Sequence, residues 1–530
     1  MGSARPDAAR FYSEGLAKLR LFDAQGARDL LEKTVAEPDY PQAHSALAAA
    51  WTALGYDEKA KNEAKKAFDL SEGLSREERL SVEARYRATA NDWGKASEIY
   101  RTLFNFFPDN LDYGLQLARA QSHAGKGKDA LTTIELLRKL PPPQRDEPRI
   151  DLAEGEAARS LGDFRRIEAL AARATAKAQT QGSQLVVAQA RNDQCLALRQ
   201  LGEPQKATPA CEEAHRIYAA TGDRRGVAMA LNNLANICYD QGDLAGAKKL
   251  YEETLAAYRE IGNQRGAAAA LDNIANLLGD LGDPAGARKL SAEALKMYRE
   301  ASDYTGVGET LNNIAAAQLL AGDFGGATKI FQQALDIWRK TGDKNGIATT
   351  LNNLADMLFG QGHLAQAESR YQEALSTFRE TGQKSKSAYP LSGLADVLSA
   401  QGDLASAKVK YEEALAICRD AGDKHQSAYA LFGLGSVLGQ QGDIAAARGR
   451  HEEALAIRKE IGEKAPEAES LRALAELAVE EGHAADAETL ARKALIEFRA
   501  EKLRDDEVLA RALLARSLRA QGKPAEARAD

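Results

Sequence analysis

A period of 40 residues runs through this chain. Leu231, Leu271, Leu311, Leu351, Leu391, Leu431 and Leu471 mark it, as do Gly162, Gly202, Gly242 and the further glycines in register to Gly522. A third column is alanine, from Ala207 through Ala247, Ala287 and Ala327 to Ala527. Self-similarity at one fixed spacing means a stack of like supersecondary units, each burying its apolar face against the next.

The unit follows from its own residues. In ALNNLANICYDQGDLAGAKKLYEETLAAYREIG (230–262), Leu231, Leu234, Ala235 and Cys238 stand at i, i+3, i+4 and i+7, the apolar stripe of a helix. Gly242 then suits the left-handed end of that helix, and Asp243 can cap the next. Ala247, Tyr251, Thr254, Leu255 and Tyr258 form a second stripe that ends near Gly262. Each repeat is therefore a helical hairpin. The small alanines bring paired helices close, while Tyr251, Phe331, Tyr371 and Tyr411 fill space between repeats. Ser291 and His451 share that bulky column, so looser packing is expected there.

The N-terminal part keeps the grammar with a looser metre. Ala27, Ala60, Ala96 and Ala130 place hairpins at 8–38, 42–72, 76–109 and 110–140, with Pro38, Pro41 and Pro108 between them. Residues 1–7 read as a tag or linker. Pro141-Pro142-Pro143 makes a break over 141–146, and the regular array occupies 147–530 with its last repeat incomplete. The whole is all-α, with about thirteen hairpins plus a partial one, and is expected to be an excised piece of a longer protein.

Composition narrows the function. A net charge of −7 gives no overall footprint for nucleic acid. No apolar run reaches the roughly 20 residues of a membrane helix, so no membrane insertion is expected. Gly433-x-Gly435 lies inside a first helix with no strand before it, which is not a dinucleotide loop. Asp323-Phe324-Gly325 is this repeat's version of the Gly-Asp-Leu turn at 242–244. No metal-ligand spacing, catalytic constellation or cofactor motif stands out, so the chain is read as no enzyme and as needing no cofactor. Cys195, Cys211, Cys238 and Cys418 are expected as buried thiols, with a Cys195–Cys211 or Cys211–Cys238 bridge the less favoured alternative.

The Leu-x-x-Leu/Ile-Ala core, the Gly-Asp turn, and the Ala-x-x-x-Tyr/Phe and Ala-Leu columns resemble the tetratricopeptide repeat, in the longer form of kinesin light chains. That resemblance implies a right-handed superhelical solenoid whose first helices line a concave groove for a protein or peptide partner. The runs at 11–51 and 77–110 resemble repeat regions joined to bacterial serine/threonine protein kinases and to some winged-helix regulators, which implies a regulatory role in a signalling protein such as a kinase. Such a parent is often membrane-bound with the repeats outside the cytoplasm; a cytoplasmic location is the alternative.

On the first helices, three columns rotate away from the apolar stripe. They hold Asn232, Asp272, Asn312 and Asn352; then Asn233, Asn273, Asn313 and Asn353; then Asn236, Asn276, Asp356 and Asp396. Carboxamides both donate and accept, so a row of them can bind a peptide backbone whatever its side chains are. By resemblance Asn233, Asn273, Asn313 and Asn353 are the leading peptide contacts. The competing reading has these side chains tying neighbouring helices together. Gly393, Gly433 and Ala473 interrupt the ladder, so the groove is expected to weaken beyond 390. Asp243, Asp283, Asp323, Asp403 and Asp443 line one rim; Arg224, Arg225, Arg265, Lys344, Lys384, Lys386 and Lys424 line the other, and local capping and helix-end roles are expected for both. A small-molecule sensor and a module self-associating through its C-terminal repeat are the rival functions.

Overall fold

One turn shows how the period becomes structure. The helix Arg224–Asp240 ends, Gly242 takes φ +79°, and Asp243 N–H donates back to the Cys238 carbonyl (2.9 Å). Asp243 Oδ1 then accepts from Gly246 N–H (2.9 Å), capping the helix Leu244–Glu260. The same cap recurs at Asp283, Asp323, Asp403 and Asp443. Each such cap contributes about 1 kcal/mol to its helix, and it accounts for the acidic rim.

A computed structural model describes residues 6–529 apart from 22, 36–39, 302 and 502, and leaves the side chains of 320, 528 and 529 undescribed. Pro38, the Met1-Gly2-Ser3 start and Asp530 lie outside the described residues. Helices follow one another in antiparallel pairs from Pro6–Arg20 with Ala24–Thr34 to Lys464–Glu480 with Ala484–Ala500, thirteen hairpins among the described residues. Arg504–Ala520 and the short Glu526–Ala529 begin another. Among the described residues there is no strand, and no helix is long and apolar enough to cross a membrane.

The repeat columns form the core. Ala207, Ala247, Ala327, Ala367, Ala407, Ala447 and Ala487 are fully buried, and Tyr251, Phe331, Tyr371 and Tyr411 nearly so. Expectations at the two odd members separate. His451 is buried and tightly held, edge-on to Phe432 (5.1 Å), because Gly435 leaves room for its ring. In the Ser291 helix, by contrast, Ala287 is only half-buried. The chain divides into two compact units, Met1–Ile314 and Ala315–Asp530, and the division falls in Tyr304–Leu320, the helix that follows that hairpin.

Within the first unit, the hairpin before the prolines ends at Leu137 and the next starts at Pro148. One continuous core, from Ala84 to Ala157, spans them. The cysteine expectation needs correcting. Cys195 and Cys211 face each other across one hairpin with Cα atoms 5.3 Å apart, within bridging range, and are joined in a disulfide. Cys238 and Cys418 are free.

The first unit also touches itself far along the chain. Arg225 Nη1 donates to the Thr52 carbonyl (3.0 Å), and Arg265 Nη1 donates to Asn91 Oδ1 (2.8 Å). Asn91 holds φ +60° where other repeats place glycine. A Cβ on Gly55 would come within 2.7 Å of Arg225 Cβ, so the turn at Gly55 sits directly on that arginine.

Candidate functional site

Contacts among the helices define which face is inner. In the second unit the first helices Lys344–Gly360, Ala388–Ala400, Lys424–Gln440, Lys464–Glu480 and Arg504–Ala520 each touch the next. In the first unit the run Leu111–His123, Pro148–Ser160, Gln184–Gln200 and Arg224–Asp240 does likewise. Second helices of neighbouring hairpins do not meet to that extent. In a stack of hairpins the layer whose members crowd together is the inner one, so along these two runs the first helices form the inner wall.

That crowding sorts the ladder into seam and surface. In the first unit Asn233 is buried, and its Nδ2 donates to Asn192 Oδ1 (3.0 Å) on the preceding first helix. Asn273 Nδ2 donates to Asn232 Oδ1 (2.9 Å) in the same way. Asp272 and Asn312 are buried too. Asp272 accepts from the Thr310 hydroxyl, while burial pushes its carboxyl up to about 7, with Glu309 adding to the rise. These side chains lie between first helices rather than on an open face: positions flanking the apolar stripe are covered by the next first helix. Asn276 and Asn313 are exposed and make no side-chain hydrogen bond among the described residues.

In the second unit Asn352 and Asn353 are half-buried and Asp356 reaches the surface. Asn352 Nδ2 donates to Asp356 Oδ2 (3.2 Å), and Asn352 Oδ1 is buried without a partner. Crowding by the wall pushes Asp356 up to about 6, with Asp396 adding to the rise.

A second pattern went unread in the sequence. Tyr251 donates to Asn236 Oδ1 (2.6 Å), Tyr371 to Asp356 Oδ1 (2.6 Å) and Tyr411 to Asp396 Oδ1, each hydroxyl reaching 15 residues back across its own hairpin. Where the bulky column lacks tyrosine this bond is missing: Phe331 stands with Ala316, and Ser291 leaves Asn276 exposed. Coincidence of tyrosine with Asn or Asp 15 residues earlier was the available signal.

Beyond 390 the carboxamide ladder gives way to Gly393, Gly433 and Ala473. A cavity of about 490 Å³ opens there, lined by Phe359, Asp396, Tyr429, Phe432, Arg458 and Glu469 among others. Gly433 is part of its wall because Tyr411 leaves no space for a side chain: a Cβ would sit 2.3 Å from the ring. Gly393 relates to Tyr371 identically. Of the basic rim, Lys344, Lys384 and Lys424 pair with Glu380, Asp420 and Glu460 at the far end of their own hairpins. Arg225 and Arg265 instead make the long-range contacts described above.

A family model described as tetratricopeptide repeat matches residues 186–260, 266–340, 306–380 and 386–460, and another of the same description matches 508–529. No curated protein matches the chain. Among solved structures it is similar to BtubC (BKLC) from P. vanneervenii, at 23% identity over 42% of this chain and 92% of that one, with a TM-score of 0.35. A Rap protein complexed with Competence and Sporulation Factor is 14% identical over 65% of this chain and 99% of that one (TM-score 0.48). Yeast Tom70 is 14% identical over 96% and 95%, respectively (TM-score 0.43).

Proposed function

Because the chain belongs to the tetratricopeptide repeat family, we propose that it is a non-catalytic protein-interaction scaffold that holds an extended partner segment along its inner wall. The observation that carries this reading is the pair of uncommitted carboxamides, Asn276 and Asn313, exposed on first helices of the first unit. Helix backbone cannot offer hydrogen bonds to a ligand, since its own groups are paired, so an incoming main chain must find side-chain donors and acceptors. Asn353 offers the same chemistry on the second unit, whereas Asn352 and Asp356 already bond each other and Tyr371. Asn232, Asn233, Asn236 and Asn273 support the wall from within, because their amides already bond protein neighbours.

The test uses fluorescein-labelled pools of degenerate nonapeptides and polarisation titrations. Asn276→Ala/Asn313→Ala should weaken binding about threefold or more, the loss of one to two ordinary hydrogen bonds, with unchanged helicity. Absence of binding by any pool, or equal affinity for variant and wild type, refutes the reading. The two N-terminal runs further support a place as the regulatory part of a bacterial serine/threonine protein kinase. Sequencing the adjoining coding region decides that point, and a different upstream domain would overturn it.

A further inference from the structure

The cavity in the second unit has an unbalanced charge. Asp396 is half-buried, and its two oxygens accept from the Tyr411 hydroxyl and the Tyr429 hydroxyl (2.7 Å), both neutral donors. The other carboxylate, Glu469, faces the Arg458 guanidinium at 3.6 Å, so those two charges offset each other. What remains is one negative charge among Phe359, Tyr429 and Phe432, a setting in which water solvates a carboxylate poorly. Burial accordingly pushes Asp396 above the usual carboxylate range.

Arg458 supplies an independent observation. It is only 3% exposed, lies over the Phe432 ring (4.7 Å), and spends Nη1 on the Pro466 carbonyl (2.6 Å) and Ser470 Oγ (2.8 Å). Its Nε–H is buried with no acceptor, although the residue lines the cavity. Buried donors are rarely left unmatched in a finished structure, because each costs its full desolvation.

Both unmet demands are satisfied by one kind of occupant. From this geometry we infer that the cavity anchors a lysine or arginine side chain of the partner segment, its cation on Asp396 between aromatic faces, with a main-chain carbonyl of the same segment accepting from Arg458. Aromatic faces attract cations through the ring quadrupole, and a desolvated carboxylate adds a charge-assisted hydrogen bond. An acidic side chain would meet Asp396 as a like charge, and an aliphatic one would leave it unpaired. This assignment rests on the peptide-scaffold reading and specifies its chemistry.

Nonapeptide pools with Lys, Arg, Gln, Leu or Glu fixed at the centre separate the two levels. Lys and Arg pools should bind about tenfold tighter than the Gln pool, and Asp396→Asn should reduce that preference to about twofold while leaving Gln-pool affinity unchanged. Ser436→Lys, a change on the cavity wall that provides a tethered cation, should reduce the preference to the same extent and serves if Asp396→Asn does not fold. Equal binding of all pools, or a basic preference that survives both variants, overturns the anchor while leaving the scaffold standing. No binding by any pool overturns both.

Discussion

Replacing Asn233 by alanine distinguishes a seam residue from a ligand residue. In the structure Asn233 Nδ2 donates to Asn192 Oδ1 across two touching first helices, and both side chains are buried, at 7% and 3% exposure. Asn233→Ala removes that bond and leaves Asn192 Oδ1 without its donor in a place water does not reach. The expected cost is about 1–3 kcal/mol, the range for an orphaned buried polar group. A chain of two compact units does not unfold in one step, so a single denaturation midpoint would blur this local effect. Amide hydrogen exchange read by mass spectrometry resolves it. Amides of Gln184–Gln200 and Arg224–Asp240 that exchange when these helices separate should do so about five- to hundredfold faster. The exposed control Asn313→Ala should stay within about twofold of wild type. The double variant Asn192→Ala/Asn233→Ala should cost less than the sum of its singles, because removing both partners leaves nothing unpaired. If Asn233→Ala and Asn313→Ala exchange alike, the column is not an interhelical tie and the sorting of the ladder is wrong.

Other expectations follow from the same geometry. Asp272, raised to about 7 by burial from 3.8 in the unfolded chain, holds a proton in the fold that the unfolded chain releases; its contribution is best at low pH and is lost as pH rises from 3.8 through 7. Asp272→Asn, which restores the residue at 232, 312 and 352, should therefore raise the melting temperature at pH 8 and change it little at pH 4; an equal shift at both would contradict this. Gly433→Ala should destabilise by about 1–3 kcal/mol despite alanine's better helix propensity, since the new Cβ meets the Tyr411 ring at 2.3 Å, and Gly433→Ala/Tyr411→Leu should recover part of the loss in a thermal melt. Denatured without reductant, the protein should show two reactive thiols per chain, Cys238 and Cys418, rising to four after reduction; four at the outset would exclude the Cys195–Cys211 bridge.

The hairpins, their turns and their alanine and leucine columns were legible because each repeat restates them. A single Gly-Asp turn is weak; its recurrence at 162–163, 242–243, 282–283, 322–323, 402–403 and 442–443 is not. The fate of the asparagines was not legible. Helical spacing places Asn233 beside the apolar stripe, but whether that angle meets solvent or the next first helix depends on how closely hairpins stack. Gly433 misled for a related reason: read alone it is a missing side chain, and read against Tyr411 it is the space that a buried ring needs. Arg225 and Arg265 looked like neighbours of Arg224 on a rim. One position of register sends Arg224 toward Glu260 of its own hairpin and Arg225 toward Thr52.

Those two arginines change what kind of object the first unit is. A repeat array bonded only between neighbours behaves as a chain of coupled links, in which an end can fray one link at a time and folding can start anywhere. The contacts from Arg225 to Thr52 and from Arg265 to Asn91 join links 173 and 174 residues apart. Fraying of the early hairpins then carries a cost registered far along the sequence, and closing that loop demands an ordering entropy that purely local stacking never meets. The first unit accordingly unfolds more like a globular domain than like a zipper, and the turns at Gly55 and Asn91 should be protected together with the helices Arg224–Asp240 and Gln264–Asp280 rather than with their own neighbours.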